Sequence, residues 1–184
     1  MRTNKKFSAA IEWLIAVVLI IAVWKFSDLS YGSFSPMKAH QQSERTFHYG
    51  PSELVRTIDL DGVIIYLSRY KDWISENTVK RKIFKWYTDS ENATPIDFSK
   101  QVTYSYVSSN DKKNLMIIKL YGYVIDSQIA SMILAEEDES KTLKYNLDEK
   151  RMFIFYWKEN EQTFKTRYIK GLDKDGKVIY EQKI

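Results

Sequence analysis

The pattern of apolar and polar positions separates a single apolar segment from a long region of short alternating runs. Residues 13–24 are twelve consecutive apolar residues, and the run extends over 9–26 with two charges, Glu12 and Lys25. As an α-helix the extended run spans ~27 Å, close to a hydrocarbon core of ~30 Å. The pattern therefore predicts a transmembrane helix at 9–26, preceded by a short basic tip at 1–8.

The flanks of this segment predict its orientation. Trp13 and Trp24 lie near its two ends, where amphipathic indole rings favour the membrane–water interface. Three basic residues precede the helix, namely Arg2, Lys5 and Lys6. The positive-inside rule then places the N-terminus in the cytoplasm and residues 27–184 outside the cell membrane.

Two alternatives remain for the same segment. A cleaved secretory signal also has a basic start and an apolar middle, although Ala22-Val23-Trp24 makes a weak cleavage site. The segment also resembles a type IV prepilin, because Glu12 would be the fifth residue if cleavage followed Phe7. That family has glycine or another small residue where this chain has Phe7. The resemblance implies a minor pseudopilin-like component.

Residues 27–46 contain five serines, a glycine and a proline without periodic apolar positions. This composition predicts a flexible linker between the membrane segment and the rest of the chain. His40 is expected to be solvated there, and the aromatic rings of Tyr31 and Phe34 to lie against the membrane surface.

From residue 47 onward, short runs rich in Val, Ile, Tyr, Phe and Trp alternate with polar turns. Glu53–Asp59 and Val63–Tyr70 form a hairpin pattern, and the nearly continuous apolar run at Asn114–Ile125 predicts a central strand with both faces covered. Regular spacing of such runs predicts an all-β domain at 47–184. We expect a single β-sandwich of eight to ten strands, with a barrel as the alternative.

Two segments of the C-terminal half carry a resemblance. They are Tyr121-Gly122-Tyr123-Val124-Ile125-Asp126-Ser127-Gln128-Ile129 and Tyr168-Ile169-Lys170-Gly171-Leu172-Asp173-Lys174-Asp175-Gly176-Lys177-Val178-Ile179-Tyr180. Both are similar to edges of immunoglobulin-like modules in uncharacterised membrane-anchored proteins of Bacillus-type Gram-positive bacteria. The resemblance implies a β-sandwich with a closing hairpin. It implies no enzymatic activity, since such modules mostly bind other molecules or act as spacers.

Charge and rare residues exclude several functions. After residue 31 the chain carries 24 bases and 22 acids, too close to balance for a nucleic-acid binder. The absence of cysteine excludes lipid-modified cysteine, disulfides, thiol catalysis and cysteine-ligated metals. With only His40 and His48 available, we expect no metal centre and no cofactor.

The chain is unusually rich in aromatic residues. A strand over Met152–Trp157 would be apolar on both faces, and both faces cannot pack against a single core. Some aromatics are therefore expected to form an exposed platform for a glycan or protein, with nearby bases that could meet an anionic wall polymer. The candidate binding residues are Trp73, Trp86, Tyr156, Lys82 and Lys85.

The sequence thus favours a single-pass membrane protein whose external domain acts by binding an envelope protein or wall polymer, and it leaves enzymatic activity open. The alternative from another class is a small envelope hydrolase that uses carboxylates. Two or three acids converging in a pocket near His48 would favour the enzyme, whereas a closed sandwich without a polar cleft would favour binding. His48 itself is expected to have a structural role beside Phe47 and Tyr49.

Overall fold

The computed structural model of the chain describes residues 3–26, 32–60, 62–110, 115–138, 140–159 and 166–184. These residues form two helices, α1 (Thr3–Phe26) and α2 (Pro36–Thr46), and eleven strands. The strands are β1 (Glu53–Asp59), β2 (Val63–Tyr70), β3 (Trp73–Lys82), β4 (Lys85–Pro95), β5 (Val102–Asn110), β6 (Met116–Val124), β7 (Ser131–Glu136), β8 (Thr142–Asn146), β9 (Met152–Glu159), β10 (Arg167–Leu172) and β11 (Val178–Lys183).

The strands form three antiparallel sheets. We name them the first sheet (β1-β2-β3-β4), the central sheet (β5-β6-β9) and the third sheet (β11-β10-β7-β8). The prediction of a mostly β fold is confirmed, and the three antiparallel sheets are consistent with a β-sandwich. The sandwich has three layers where an immunoglobulin-like fold has two, and the described strands exceed the predicted eight to ten.

The central sheet is covered on both faces, because successive residues of a strand point to opposite sides. On β6, Leu120 packs toward the third sheet and Tyr121 toward the first sheet. The core against the first sheet contains Ile65, Leu67, Ile74, Ile96, Tyr121, Met152 and Ile154. The core against the third sheet contains Val102, Leu120, Val124, Ile129, Met132, Leu134, Phe153, Phe155 and Ile169. The predicted central strand is therefore confirmed, although Asn114 lies outside the described residues.

Strand β9 explains the excess of aromatic and aliphatic residues at 152–157. Met152 and Ile154 join one core, while Phe153 and Phe155 join the other. An exposed platform was expected because one core cannot accept both faces. With a sheet on each side, four consecutive apolar side chains are buried, and only Tyr156 of the run is exposed.

Residues 36–46 differ from the predicted linker, because they form α2 and pack on the outer face of the first sheet. Ala39 joins Ile64, Tyr66 and Val79 in a small apolar cluster. His40, expected to be solvated, is buried. The helix begins with Pro36 at its first turn, where a missing N–H costs nothing. Its buried face is otherwise polar, so it has no apolar periodicity for sequence analysis to detect.

Helix α1 covers the predicted transmembrane segment, and its described side chains span residues 9–23. Among the residues that the structure describes, no helix has the length and apolar character needed to cross a membrane. Trp13 is exposed. Arg2 and Tyr31 lie outside the described residues, as do the side chains of Lys5, Lys6 and Trp24.

Candidate functional site

A cavity of about 590 Å³ opens at the end of the β3–β4 hairpin where β3 begins. Three elements build it: the residues that follow α2, the β2–β3 turn and the second half of β4. Its lining consists of Phe47, His48, Tyr49, Tyr70, Lys71, Asp72, Trp73, Glu91, Asn92 and Ala93. We call it the Trp73 cavity.

Aromatic rings supply the apolar wall of the Trp73 cavity. Trp73 is 42% exposed, and the Tyr49 ring packs edge-on against Tyr70 with centroids 5.4 Å apart. Lys71 holds a left-handed conformation in the β2–β3 turn, and its Nζ lies 5.0 Å from the centre of the Tyr70 ring. The exposed Trp73 indole, with these rings packed beside it and polar groups nearby, suits a ligand that has both apolar faces and hydrogen-bonding groups.

Glu91 provides the acidic side of the same cavity. Its carboxylate accepts a hydrogen bond from the Ser43 hydroxyl of α2, and that hydroxyl accepts one from Asn77 Nδ2 at 2.9 Å. Burial raises the pKa of the Glu91 carboxyl, and the negative charge of Glu44 raises it further. The bond to Ser43 opposes both effects. Glu91 therefore holds a proton more readily than an exposed glutamate.

A second cavity of about 530 Å³ lies beside the first, and His48 and Tyr49 line both. Glu44 accepts a hydrogen bond from Ser52 there, and its carboxylate lies 3.3 Å from His40 Nε2. The His40 ring stacks on Tyr66 with centroids 4.7 Å apart. Burial lowers the pKa of His40, while Glu44 and then Asn77 oppose the shift.

Backbone geometry fixes the wall between the two cavities. His48 takes a left-handed conformation just after α2, and the Tyr49 N–H donates to the Glu44 carbonyl at 2.9 Å. Gly50 also has positive φ, and a Cβ there would meet Glu44 Oε2 at 2.8 Å. Burial raises the pKa of the Tyr49 hydroxyl to about 12, so it stays protonated at neutral pH. His48 is exposed rather than packed.

Three carboxylates, those of Glu44, Asp72 and Glu91, thus line two adjoining cavities that share His48. The cleft is polar, as expected for an enzyme, but its acids are divided between the two cavities, with Asp72 and Glu91 in the first and Glu44 in the second. Within the described parts of the chain, no group of three or more His, Asp or Glu side chains could hold a metal ion.

The five predicted binding residues do not form one platform. Trp73 begins β3, whereas Lys82 ends the same strand and lies nine residues, or about 30 Å, away. Lys85 and Trp86 begin β4, so they lie at the Lys82 end. Tyr156 lies on the central sheet, beside a small cavity of about 190 Å³.

Trp86 is largely engaged in contacts within the protein. It is half-buried against the apolar cluster beneath α2. Its backbone makes two hydrogen bonds with Ser33, from Ser33 N–H at 2.9 Å and to Ser33 C=O at 2.7 Å. Of the five candidates, only Trp73 lies in the Trp73 cavity.

Sequence reasoning missed most of the acidic side of the site. The polar stretch after Thr88 has no apolar alternation that would indicate a strand, yet β4 continues to Pro95 and carries Glu91 into the cavity. Glu91 meets Ser43 across 48 residues of sequence, so no local pattern marks it. Phe47 and Tyr49 carried a usable signal, since two aromatics flank His48 directly before the Gly50-Pro51 turn.

No protein-family model matches the chain, and neither the curated proteins nor the solved structures contain a significant match.

Proposed function

We propose that the chain is a single-pass membrane protein whose external β-sandwich binds a cell-wall polymer in the Trp73 cavity. The observation that carries the binding role is the cavity itself, in which the exposed Trp73 indole stands beside Lys71, Asp72 and Glu91. An envelope protein is the other partner class compatible with this surface.

The anchor is proposed on the apolar sequence at 9–26 and on the exposure of α1, although no helix of the described residues by itself has the length and apolar character of a membrane span. The described apolar side chains of α1 are exposed on all sides, so an apolar solvent would stabilise it far better than water. The exposed large residues are Ile11, Trp13, Leu14, Ile15, Val17, Val18, Leu19, Ile20, Ile21 and Val23. The basic residues before the segment support a cytoplasmic N-terminus. External protease on intact protoplasts should remove the β-sandwich, and survival of that domain in sealed cells would contradict the orientation.

The chemistry of the Trp73 cavity favours a sugar-containing polymer. Sugar rings present C–H faces that stack on indole, while their hydroxyl and amide groups can donate to the carboxylates of Asp72 and Glu91. Lys71 can pair with an anionic group of the polymer. A protein partner would use the same aromatic residues as anchors. The cavity therefore fits a wall polymer and an envelope protein alike, and an experiment must distinguish them.

The test compares Trp73→Ala with Tyr156→Ala in full-length protein held in detergent micelles. The two side chains are similarly exposed, at 42% and 40%, but only Trp73 lines the cavity. Binding to purified cell-wall polymer should weaken at least about tenfold for Trp73→Ala, as for an aromatic hot spot, and remain unchanged for Tyr156→Ala. Equal effects of the two variants would contradict the assignment. Absence of wall binding, with a protein captured at Trp73 by site-specific crosslinking, would favour the envelope protein.

A second function, hydrolysis by carboxylates, is favoured by one observation: Glu91 lines the cavity with a raised pKa while other carboxylates lie nearby. Carboxylates with different environments can divide the acid and base roles between them. Glu91→Gln should then abolish release of reducing ends from glycan strands but leave binding intact. If the wild-type protein releases no products from purified wall, this function is excluded.

A further inference from the structure

The turn between β3 and β4, together with the segment that follows α1, exposes a cluster of apolar side chains. Ile83 and Phe34 are 81% and 73% exposed, and Phe84 is exposed as well. The rings of Phe34 and Phe84 stack with centroids 5.9 Å apart and planes 12° apart. We call these residues, with Arg81 and Lys82, the hairpin tip. Such a patch is costly in water and stable against an apolar surface.

The backbone of the hairpin tip holds Ile83 outward at some cost. Ile83 has φ 56°, a left-handed conformation that a β-branched residue rarely adopts. Glycine or asparagine would fit that position without this strain. Positive φ at this position is what the two-residue turn between Lys82 and Lys85 requires, and glycine would supply it without exposing a large apolar side chain. The isoleucine at this position therefore suits a contact made outside the chain.

Basic residues surround the apolar side chains of the tip. Arg81 and Lys82 are exposed, and Lys85 Nζ lies 5.1 Å from the centre of the Phe34 ring. Residues 77–88 contain no acid. Asp89 beyond them is paired with Lys80 at 2.9 Å, and Asp59 ends β1 on the neighbouring hairpin. The tip therefore combines apolar rings with positive charge, the chemistry that matches an anionic lipid surface.

The chain itself keeps the hairpin tip close to α1. The two backbone bonds between Ser33 and Trp86 fasten the segment after α1 to the start of β4. Only six peptide units separate Phe26, the last residue of α1, from Gly32. Fully extended, they reach at most about 21 Å. With α1 in a bilayer, the tip cannot move far from the surface where the helix emerges.

We propose that the hairpin tip docks onto the surface of the bilayer that holds α1, with Phe34, Ile83 and Phe84 among the lipids and Arg81 and Lys82 on anionic headgroups. The inference rests on the proposed anchoring by α1. Docking of this end of the hairpin points its other end away from the membrane. The Trp73 cavity then stands about 30 Å farther out, toward the cell wall.

The chain has no native cysteine, so one introduced cysteine gives a unique labelling site. Full-length Phe84→Cys and Lys174→Cys variants, each carrying an environment-sensitive fluorophore, are reconstituted into vesicles of phosphatidylcholine with phosphatidylglycerol. Lys174 lies in the exposed turn before β11 and serves as the control. Lipid-borne quenchers should reduce the emission of the Phe84→Cys label several-fold more than that of the Lys174→Cys label. Adding Arg81→Glu and Lys82→Glu, or omitting phosphatidylglycerol, should remove most of the difference.

A third label, on Val18→Cys within α1, separates the two proposals. If the Val18→Cys label is strongly quenched while the other two labels are weakly and equally quenched, docking of the hairpin tip is overturned. The anchor then remains intact. Weak quenching at all three sites overturns the anchor. If the Phe84→Cys label responds to soluble poly(glycerol phosphate) but not to phosphatidylglycerol, the tip binds a wall polymer and the lipid proposal is wrong.

Discussion

Lys119 of β6 and Glu76 of β3 form a fully buried ion pair between the central and first sheets, with 2.7 Å between Nζ and Oε1. Lys119 also donates to Thr78 Oγ1 at 2.5 Å and to Ser90 Oγ at 2.9 Å. Burial raises the pKa of Glu76 and lowers that of Lys119, and each partner's charge opposes the other's shift. Glu76 Oε2 has no hydrogen-bond partner among the described residues. The pair is therefore sensitive to loss of either member.

Replacing Lys119 with methionine should lower the free energy of unfolding by about 3–5 kcal/mol, because it leaves the Glu76 carboxylate buried without its counter-charge. The measurement is urea unfolding of the full-length protein in detergent, followed by tryptophan fluorescence. The matched control is Lys150→Met, which breaks an ion pair with Glu53 whose members are about half exposed. That variant should unfold like the wild type.

The double variant Lys119→Met/Glu76→Leu decides between charge and packing. With both charges gone, no charge is buried without its partner, and much of the lost stability should return, reduced by the Thr78 hydroxyl that loses Glu76 and Lys119 as partners. If the double variant is no more stable than Lys119→Met alone, then the loss comes from shape rather than from the isolated carboxylate.

Ala39 tests whether α2 is an integral part of the domain rather than a linker. Ala39→Glu would place a charge in the apolar cluster with Ile64, Tyr66 and Val79, and should detach α2 from the first sheet. Amide hydrogen exchange across residues 36–46 should then become fast, while exchange in β6 stays slow. Gln41→Glu adds the same charge on the exposed face of α2 and should leave protection unchanged. Unprotected amides there in the wild type would contradict the helix itself.

The β-rich domain could be predicted from the sequence, because burial in a sheet determines the pattern of apolar and polar residues along each strand. The run around Leu120 and Tyr121 has no polar face, and that alone predicts a strand covered on both sides. The same reasoning overlooked the third layer. It treated Met152–Trp157 as too apolar for one core and assigned the surplus to an exposed platform, when a second core accepts it.

The functional site was only partly predictable, because only some of its residues stand out in the local sequence. Trp73 was among the candidates because the density of aromatic residues can be read from the sequence itself. Glu91, Glu44 and His40 gain their roles from contacts between α2 and the first sheet, and those contacts join residues far apart in sequence. The buried face of α2 is mostly polar, and Ser43 and Glu44 on it are held by hydrogen bonds and an ion pair, so hydrophobic periodicity cannot reveal it.

Gly122 of β6 should tolerate no side chain. A Cβ there would lie 2.5 Å from the Phe153 ring and 2.5 Å from the Thr103 carbonyl oxygen on the neighbouring strand. Gly122→Ala should therefore lower stability by about 1–3 kcal/mol, measured by urea unfolding. Gly171→Ala is the comparison, because its Cβ would meet the flexible end of the Ile129 side chain at 2.9 Å, which can shift. A larger loss for Gly171→Ala than for Gly122→Ala would contradict the packing of the central sheet.

Glu91 should make stability depend on pH in the direction opposite to an ordinary salt-bridged acid. Its folded-state pKa is raised, chiefly by burial, above the usual 4.5. The folded protein therefore binds a proton that the unfolded chain releases. The stability contributed by that proton is fully present below pH 4.5 and is lost as pH rises through the raised pKa.

Glu91→Gln keeps an acceptor for Ser43 but cannot ionise, so its stability relative to the wild type should increase as pH rises from 4.5 toward neutrality. Urea unfolding of both proteins across this range measures the difference. Glu149→Gln removes an exposed turn carboxylate, and its free energy of unfolding should change with pH in parallel with that of the wild type. Parallel curves for Glu91→Gln as well would mean that Glu91 is hydrated in the folded protein, and the proposed acid role in the Trp73 cavity would then lose its physical basis.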